Sequence, residues 1–338
     1  MQRAGSCGSS AFRRYLSGRA GPVPALRGAA GAGDCVSPPP RRTGARVAFR
    51  LTELADPAPG AVRRLAWLAT DDADVPLGSA FLRLFPGPGQ AHVAEVAVTV
   101  HPAERRRGVG TALLAAAADA ARADGRTRLL AQAQEGSPAD AFCAARGLRR
   151  VLTLVYARLA MDEADFARID AVYARPHEGY RLVSWEGTAP DALLGAFTAA
   201  RSAMDDMPMS EADFGTVSWD ADRVRAAAEA IERRGDVLHT VAAVCEADGS
   251  VAGFTELVVP GTGTGDGQHY GTAVVRAHRG RGLGRWVKAA SIRIARDRHP
   301  GLAGLLTDTA ESNVHMMRIN DELGYRPTHT TYEYQLDL

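Results

Sequence analysis

Two short runs in this chain place glycine and arginine where a diphosphate can be gripped. The first is Arg105-Arg106-Arg107-Gly108-Val109-Gly110. The second is Arg279-Gly280-Arg281-Gly282-Leu283-Gly284. Each follows a strand-like run, carrying Val98 and Val100 in one case and Val274 and Val275 in the other. Each opens a helix-like run, continuing through Thr111 or Arg285. A pyrophosphate needs several backbone N–H groups aimed at one point, and the first turn of a helix supplies them with the positive end of its dipole. Glycine lets the backbone come close and take positive φ, and arginine adds charge-assisted bonds. One Gly-x-Gly is a weak signal and is as often a tight turn. Two in the same strand-to-helix context are far more specific. A dinucleotide-binding βαβ site fits less well, because neither run offers G-x-G-x-x-G with an acid closing the next strand.

The surrounding elements repeat with the loops. Arg105 and Arg279 lie 174 positions apart, and the same offset superposes Gly108 on Gly282 and Gly110 on Gly284, with Gly147 close to Gly324. In the first copy the patterning predicts strands at Val47–Leu51, Gly78–Phe85, His92–Val100, Thr127–Gln132 and Arg150–Ala160. Helices are predicted at Ala61–Ala69, Gly108–Ala123 and Pro138–Arg146. The polar stretch Met161–Gly179 reads as a linker with room for a short helix. The second copy predicts strands at Arg181–Trp185, Val237–Glu246, Val251–Val258, Gln268–Val275, Leu302–Thr307 and Thr328–Leu336. Its helices are Ala189–Met204, Asp222–Arg234, Gly282–Asp297 and Asn313–Leu323, and Gly261–Gly267 reads as a flexible loop. The expected division is a tail at 1–45, a first domain at 46–160, a linker at 161–179 and a second domain at 180–338. A domain-length period indicates duplication, not a solenoid.

Bulk properties narrow the function classes. With 40 basic against 39 acidic residues the net charge is +1, which calls for neither nucleic acid nor an acidic membrane. Four scattered cysteines, with no C-x-x-C pair, argue for reduced thiols and against a metal site. No apolar run is long enough to span a bilayer. The Arg-rich, acid-poor first 45 residues read as a disordered tail or an early start codon, in preference to a transit peptide or export signal. The expectation is a cytoplasmic monomer or homodimer.

Arg-x-x-Gly-x-Gly between a strand and a helix resembles motif A of the GNAT N-acetyltransferase superfamily. The run Val96–Pro102 is similar to that family's strand entering the loop, and Asn313–Tyr325 to its fourth helix with a Leu-Gly-aromatic end. The tandem layout resembles actinobacterial double-GNAT proteins, the mycothiol synthases among them. The resemblance implies an α/β (α+β) fold of two mixed, splayed, mostly antiparallel sheets flanked by helices, with acetyl-CoA held where the fourth and fifth strands part. It also implies acetyl transfer to a primary amine of a small molecule by direct attack in a ternary complex. A sensor or scaffold that binds acetyl-CoA without turnover is the rival reading, and a protein acetyltransferase a third.

Such a reaction needs a base for the amine, a donor for the oxyanion and a proton or contact for the leaving thiolate. Glu95, ten residues before Arg105, has the spacing of the base in one branch of the family, although an outward-facing surface glutamate is the plainer reading. His269 and Glu256 are the corresponding candidates in the second copy. Asn313 sits where the family's pantetheine contact lies. Seven residues on, where the family carries a tyrosine as general acid, stands Asn320, and the first copy has Gly136 and Cys143 at these two places. Tyr325 is a substitute donor. The segment Met204–Met209 could meet a cationic amine. The second copy is therefore the expected catalytic unit.

Overall fold

The computed structural model describes residues 48–54, 63–85, 87–204, 211–215 and 217–338. The 1–45 tail lies outside the described residues, as does the Asp205–Met209 stretch. The first copy supplies β1 (Arg50–Leu54), β2 (Arg63–Thr70), β3 (Pro76–Leu84), β4 (Val93–Val100), α1 (Val109–Ala123), β5 (Arg128–Gln134), α2 (Pro138–Ala145) and β6 (Arg149–Ala160). After α3 (Phe166–Ala174) come β7 (Tyr180–Glu186), α4 (Asp191–Arg201), α5 (Ala221–Glu232), β8 (Val237–Cys245) and β9 (Val251–Val259). The chain continues through β10 (Gly265–Val274), α6 (Leu283–Arg298), β11 (Leu302–Ala310), α7 (Val314–Glu322) and β12 (Arg326–Asp337).

The strands form one mixed sheet in the order β1-β2-β3-β4-β5-β12-β6-β11-β10-β9-β8-β7. Every pairing is antiparallel except β4–β5 and β10–β11. Those two parallel pairs are brief, running from Val93 to Glu95 on β4 and from Gly265 to Gln268 on β10. Beyond them each pair diverges and the sheet opens. The centre of the sheet is exchanged between the copies. β12 lies between β5 and β6, pairing Leu129 with Leu336 and Leu154 with Thr331. β6 in turn lies between β12 and β11, pairing Leu159 with Leu305. Neither half closes its sheet with its own strands.

Helices cover the faces. α1 lays Leu113, Ala117 and Ala121 on Leu82, Ala94 and Val96. α4 and α5 bury Leu194, Phe197, Val224 and Ile231 against Leu238, Ala242 and Phe254. α6 and α3 close the opposite face, with Ala289, Ile292 and Ile169 on Leu257 and Leu305. Side-chain oxygens of Ser137, Asp165, Asp220 and Asn313 accept the first orphan amides of α2, α3, α5 and α7.

Two local expectations need correction. Ala61–Ala69 was expected to be helical, but Arg63–Thr70 is β2, paired on both sides. Alternation of the buried Trp67 and Ala69 with Leu68 outweighs alanine's helix propensity there. Gly265–Gly267 belongs to β10, not to a flexible loop. The 161–179 stretch holds the short helix it had room for, α3, which packs on α6: Trp286 donates to the Tyr173 carbonyl at 2.9 Å, and Asp170 pairs with Arg293 and Arg296.

A chain stopped after Tyr325 would strip β5 and β6 of their shared neighbour. The expected result is loss of amide protection in β5, Leu129–Ala133, although that strand lies far away in sequence. Hydrogen exchange read by mass spectrometry checks this, and unchanged β5 protection would contradict the exchanged topology.

Candidate active site

The two glycine–arginine loops fold alike. Gly108 and Gly282 sit at the N-caps of α1 and α6 with φ of 91° and 78°. The first intrahelical bonds run from Ala112 to Gly108 and from Trp286 to Gly282, both at 3.1 Å. The amides of Val109, Gly110 and Thr111, and of Leu283, Gly284 and Arg285, therefore fall outside the helical ladder. Arg105 donates from Nε to the Val100 carbonyl at 3.3 Å, and Arg279 does the same to Val274 at 3.0 Å. A Cβ on Gly110 would stand 3.4 Å from Val100 and Phe142, and one on Gly284 3.4 Å from Val274. Arg106 holds φ of 65°, matching 77° at Gly280. Val98 and Val100 pack on the α1 core, Val274 and Val275 on the second-copy cores. Arg107 pairs with Glu104, Arg285 reaches Glu322 at 2.7 Å, and Arg281 lies over the Tyr180 ring.

Where β10 leaves β11, a cleft opens. Its walls are His269, Tyr270, Gly271 and Thr272 on β10, Lys288 on α6, Thr307–Ala310 on β11, and Asn313 and Met316 at the start of α7. Met204 closes one side, and Leu152 and Leu154 on β6 bring apolar wall from the first copy. A register shift in β10 between His269 and Gly271 turns the backbone at the cleft. His269 shares a 2.8 Å hydrogen bond between its Nε2 and the Tyr325 hydroxyl. Burial, with the Lys288 charge second, drives the His269 pKa well below the usual imidazole range, so the ring is neutral. Burial likewise pushes the Tyr325 phenol well above its ordinary value. Lys288 Nζ donates to Asn320 Oδ1 and, at 3.3 Å, to Thr307 Oγ1. It stands 4.6 Å from the Tyr325 ring centre. Burial lowers its pKa to about 7, with Asp308 working the other way. Asn320 donates from Nδ2 to Thr309 Oγ1 at 3.0 Å, so both ends of its amide are engaged. Asn313 caps α7 through its side-chain oxygen.

The other predicted groups lie apart from this cluster. Glu256 points to the opposite face, where it forms a buried ion pair with Arg201. Burial raises the Glu256 pKa and the guanidinium opposes it. Arg201 itself stacks 4.1 Å from the Trp219 ring centre. In the first copy Glu95 is bound by Arg83 across the β3–β4 ladder at 3.1 Å. The positions matching Lys288, Asn320 and Tyr325 are there Leu114, Cys143 and Leu148, all buried in one apolar core. Burial and Asp140 raise the Cys143 thiol to about 11. The first copy's sheet is further covered by Phe214 and Val217, which pack on Val93 and Leu130, while Asp213 pairs with His92 and Arg128. Sequence reasoning missed Lys288 and the threonines around it. They sit inside a helix and a strand with no motif to mark them.

The Acetyltransferase (GNAT) family profile matches residues 39–148 and 204–325. The chain belongs to the GNAT acetyltransferase family. It is an acyltransferase with two GNAT units in tandem. Its similar proteins include mycothiol acetyltransferases from Nocardia farcinica (strain IFM 10152), 31% identical over 82% of this chain and 83% of the relative, and from Tsukamurella paurometabola, 30% identical over 71% and 84%. Among solved structures it resembles a tandem GNAT protein from the clavulanic acid biosynthesis pathway, with a TM-score of 0.67 and 28% identity over 83% and 84% of the two chains. A GCN5-related N-acetyltransferase from Sphaerobacter thermophilus shares the fold at a TM-score of 0.61 and 16% identity, covering 80% of each. Among the described residues, no helix is long and apolar enough to cross a membrane.

Removing one member of the Arg201–Glu256 pair strands a charge in the core. Arg201→Ala should cost about 3–5 kcal/mol, whereas Arg201→Met with Glu256→Leu should cost far less. Denaturant midpoints of the two variants check the contrast.

Proposed function

We propose that the C-terminal unit transfers an acetyl group from acetyl-CoA to a primary amine of a small molecule by direct attack within a ternary complex. The N-terminal unit then serves as a second coenzyme A-binding or scaffolding body. The observation that carries this is the contrast between the copies. Both have the left-handed glycine and open helix start that suit a diphosphate, but only the second carries the buried polar set Lys288, Asn320 and Tyr325 beside its parting strands. The corresponding first-copy residues, Leu114, Cys143 and Leu148, are apolar and packed.

The residues fit the donor. The unladdered amides of Leu283, Gly284 and Arg285, with Arg279 and Arg281 beside them, suit the pyrophosphate, and Gly280 and Gly282 keep side chains out of its path. The pantetheine arm suits the gap beyond Gln268, with Asn313 at its edge. Acetyl-CoA supplies an activated thioester. The protein's task is to orient the amine, exclude water and handle protons. Met204, Leu152 and Leu154 give the acceptor side an apolar wall. The relatives' names make mycothiol acetylation one specific form of this activity.

Calorimetry with coenzyme A, and thiol release from acetyl-CoA across a panel of amino sugars, polyamines and amino acids, test the reading. Gly282→Trp forces a bulky side chain onto a left-handed position 3.2 Å from His177 and should reduce turnover by about 10²-fold or more. Asn313→Ala should weaken coenzyme binding. Gly108→Trp should spare turnover. If Gly108→Trp alone abolishes activity, the assignment of domains is reversed. If the purified protein takes up no coenzyme A, the proposal fails.

A further inference from the structure

Of the 40 basic residues in this chain, one is lysine, and it is Lys288. Among the described residues arginine makes the other non-histidine ion pairs, including the buried contact with Glu256. The exception stands where the sheet opens, 1% exposed, on the wall of the cleft. The two cations differ in one chemical respect that matters at such a place. A guanidinium does not release its proton in a protein, whereas an ammonium does so readily once desolvated.

The geometry also selects Lys288 from among its neighbours. Asn320 and Tyr325 stand behind it and are not part of the cleft wall. Asn320 is engaged at both ends, and the Tyr325 hydroxyl is bound to His269. Tyr270 Oη accepts from Arg234 at 3.3 Å. The titratable groups that face Lys288 are Asp308 on β11, His269 on β10 and Tyr325 ahead of β12, of which Asp308 carries charge, while α7 presents the uncharged Asn320. An amide oxygen can only accept. Asn320 Oδ1 therefore favours Nζ carrying its protons and fixes where they point.

We propose that Lys288 gives a proton to the sulfur that leaves when the acetyl group is transferred, with Asn320 and Thr307 as positioning residues. This rests on the reading of the C-terminal cleft as the acetyl-transfer site. The amine's electron pair forms the new C–N bond. The C–S bond breaks with its pair on sulfur, which takes a proton from Nζ and departs as a thiol. The proton shed by the amine nitrogen reloads Nζ, so the lysine ends the cycle as it began. Burial, by bringing the ammonium to about 7, matches it to this exchange at neutral pH. Because the donor is the charged form, turnover should decline as the pH rises through that value.

A single lysine makes the test unusually direct. Protein labelled with [13C,15N]lysine gives one side-chain signal. Its titration midpoint should lie at least about 2 pH units below the ~10.4 of a free lysine and should move when coenzyme A is added. An ordinary midpoint, or a signal indifferent to coenzyme A, overturns the proposal. This arm needs no variant. Lys288→Met and Lys288→Arg should each lower kcat by about 10²–10⁴-fold, with the amine KM changed less than about threefold and the alkaline decline abolished. If Lys288→Arg keeps wild-type turnover and pH profile, charge alone suffices and the lysine's role as donor is refuted. If wild-type protein binds no coenzyme A, the reading of the cleft falls first. If it binds and turns over while both variants match it, only the inference about Lys288 falls.

Discussion

A hydrogen-bonded sheet leaves no room for a ligand at its centre, so the parting of two strands governs everything around it. β10 follows β11 from Gly265 to Gln268 and then turns away. Each backbone group released there must find another partner or face a polar space. Thr255 meets one such demand by donating its hydroxyl to the Gly271 carbonyl at 3.2 Å, and beside the gap Thr309 accepts from Asn320 and Thr307 from Lys288. The same opening admits the helix start of α6 to one end of the gap and Asn313 to its side. Strand divergence, helix position and buried cation are thus parts of one constraint.

The two copies share one loop backbone and differ in the side chains set around it. Arg106 occupies the left-handed conformation that Gly280 takes without strain, a state that costs a branched-free but bulky side chain about 1 kcal/mol. The loop shape persists in the first copy, yet Leu114, Cys143 and Leu148 there are packed into one apolar core, while Phe214 and Val217 from the second half pack on Val93 and Leu130 in another.

Much of this was legible in the sequence because it depends on local rules. The loops declared themselves through glycine spacing, the helices through periodicity and caps, and Asn313 through its place before a helix. What was hidden depends on tertiary context. Alanine-rich β2 read as helix because burial of Trp67 and Ala69 is not a local property. The exchange of β6 and β12 was invisible because both are long alternating strands that suit either partner. Glu256 looked like a base until Arg201, 55 residues away, proved to hold it. Lys288 lay within an ordinary amphipathic helix, and its only sequence mark was its singularity.

The exchanged centre has a consequence for how the chain is made. β5 finds its neighbour in β12, and contacts such as Gln132 with Glu333 span 201 residues. As the polypeptide leaves the ribosome, the first unit must wait with one edge of its sheet unpaired until nearly all the second has been synthesised. An exposed edge of this kind invites pairing with other nascent chains. Loop closure over such a distance is also slow. The arrangement that binds the two units into one sheet therefore ties the survival of each newborn molecule to the pace of translation and to whatever shields that edge in the meantime.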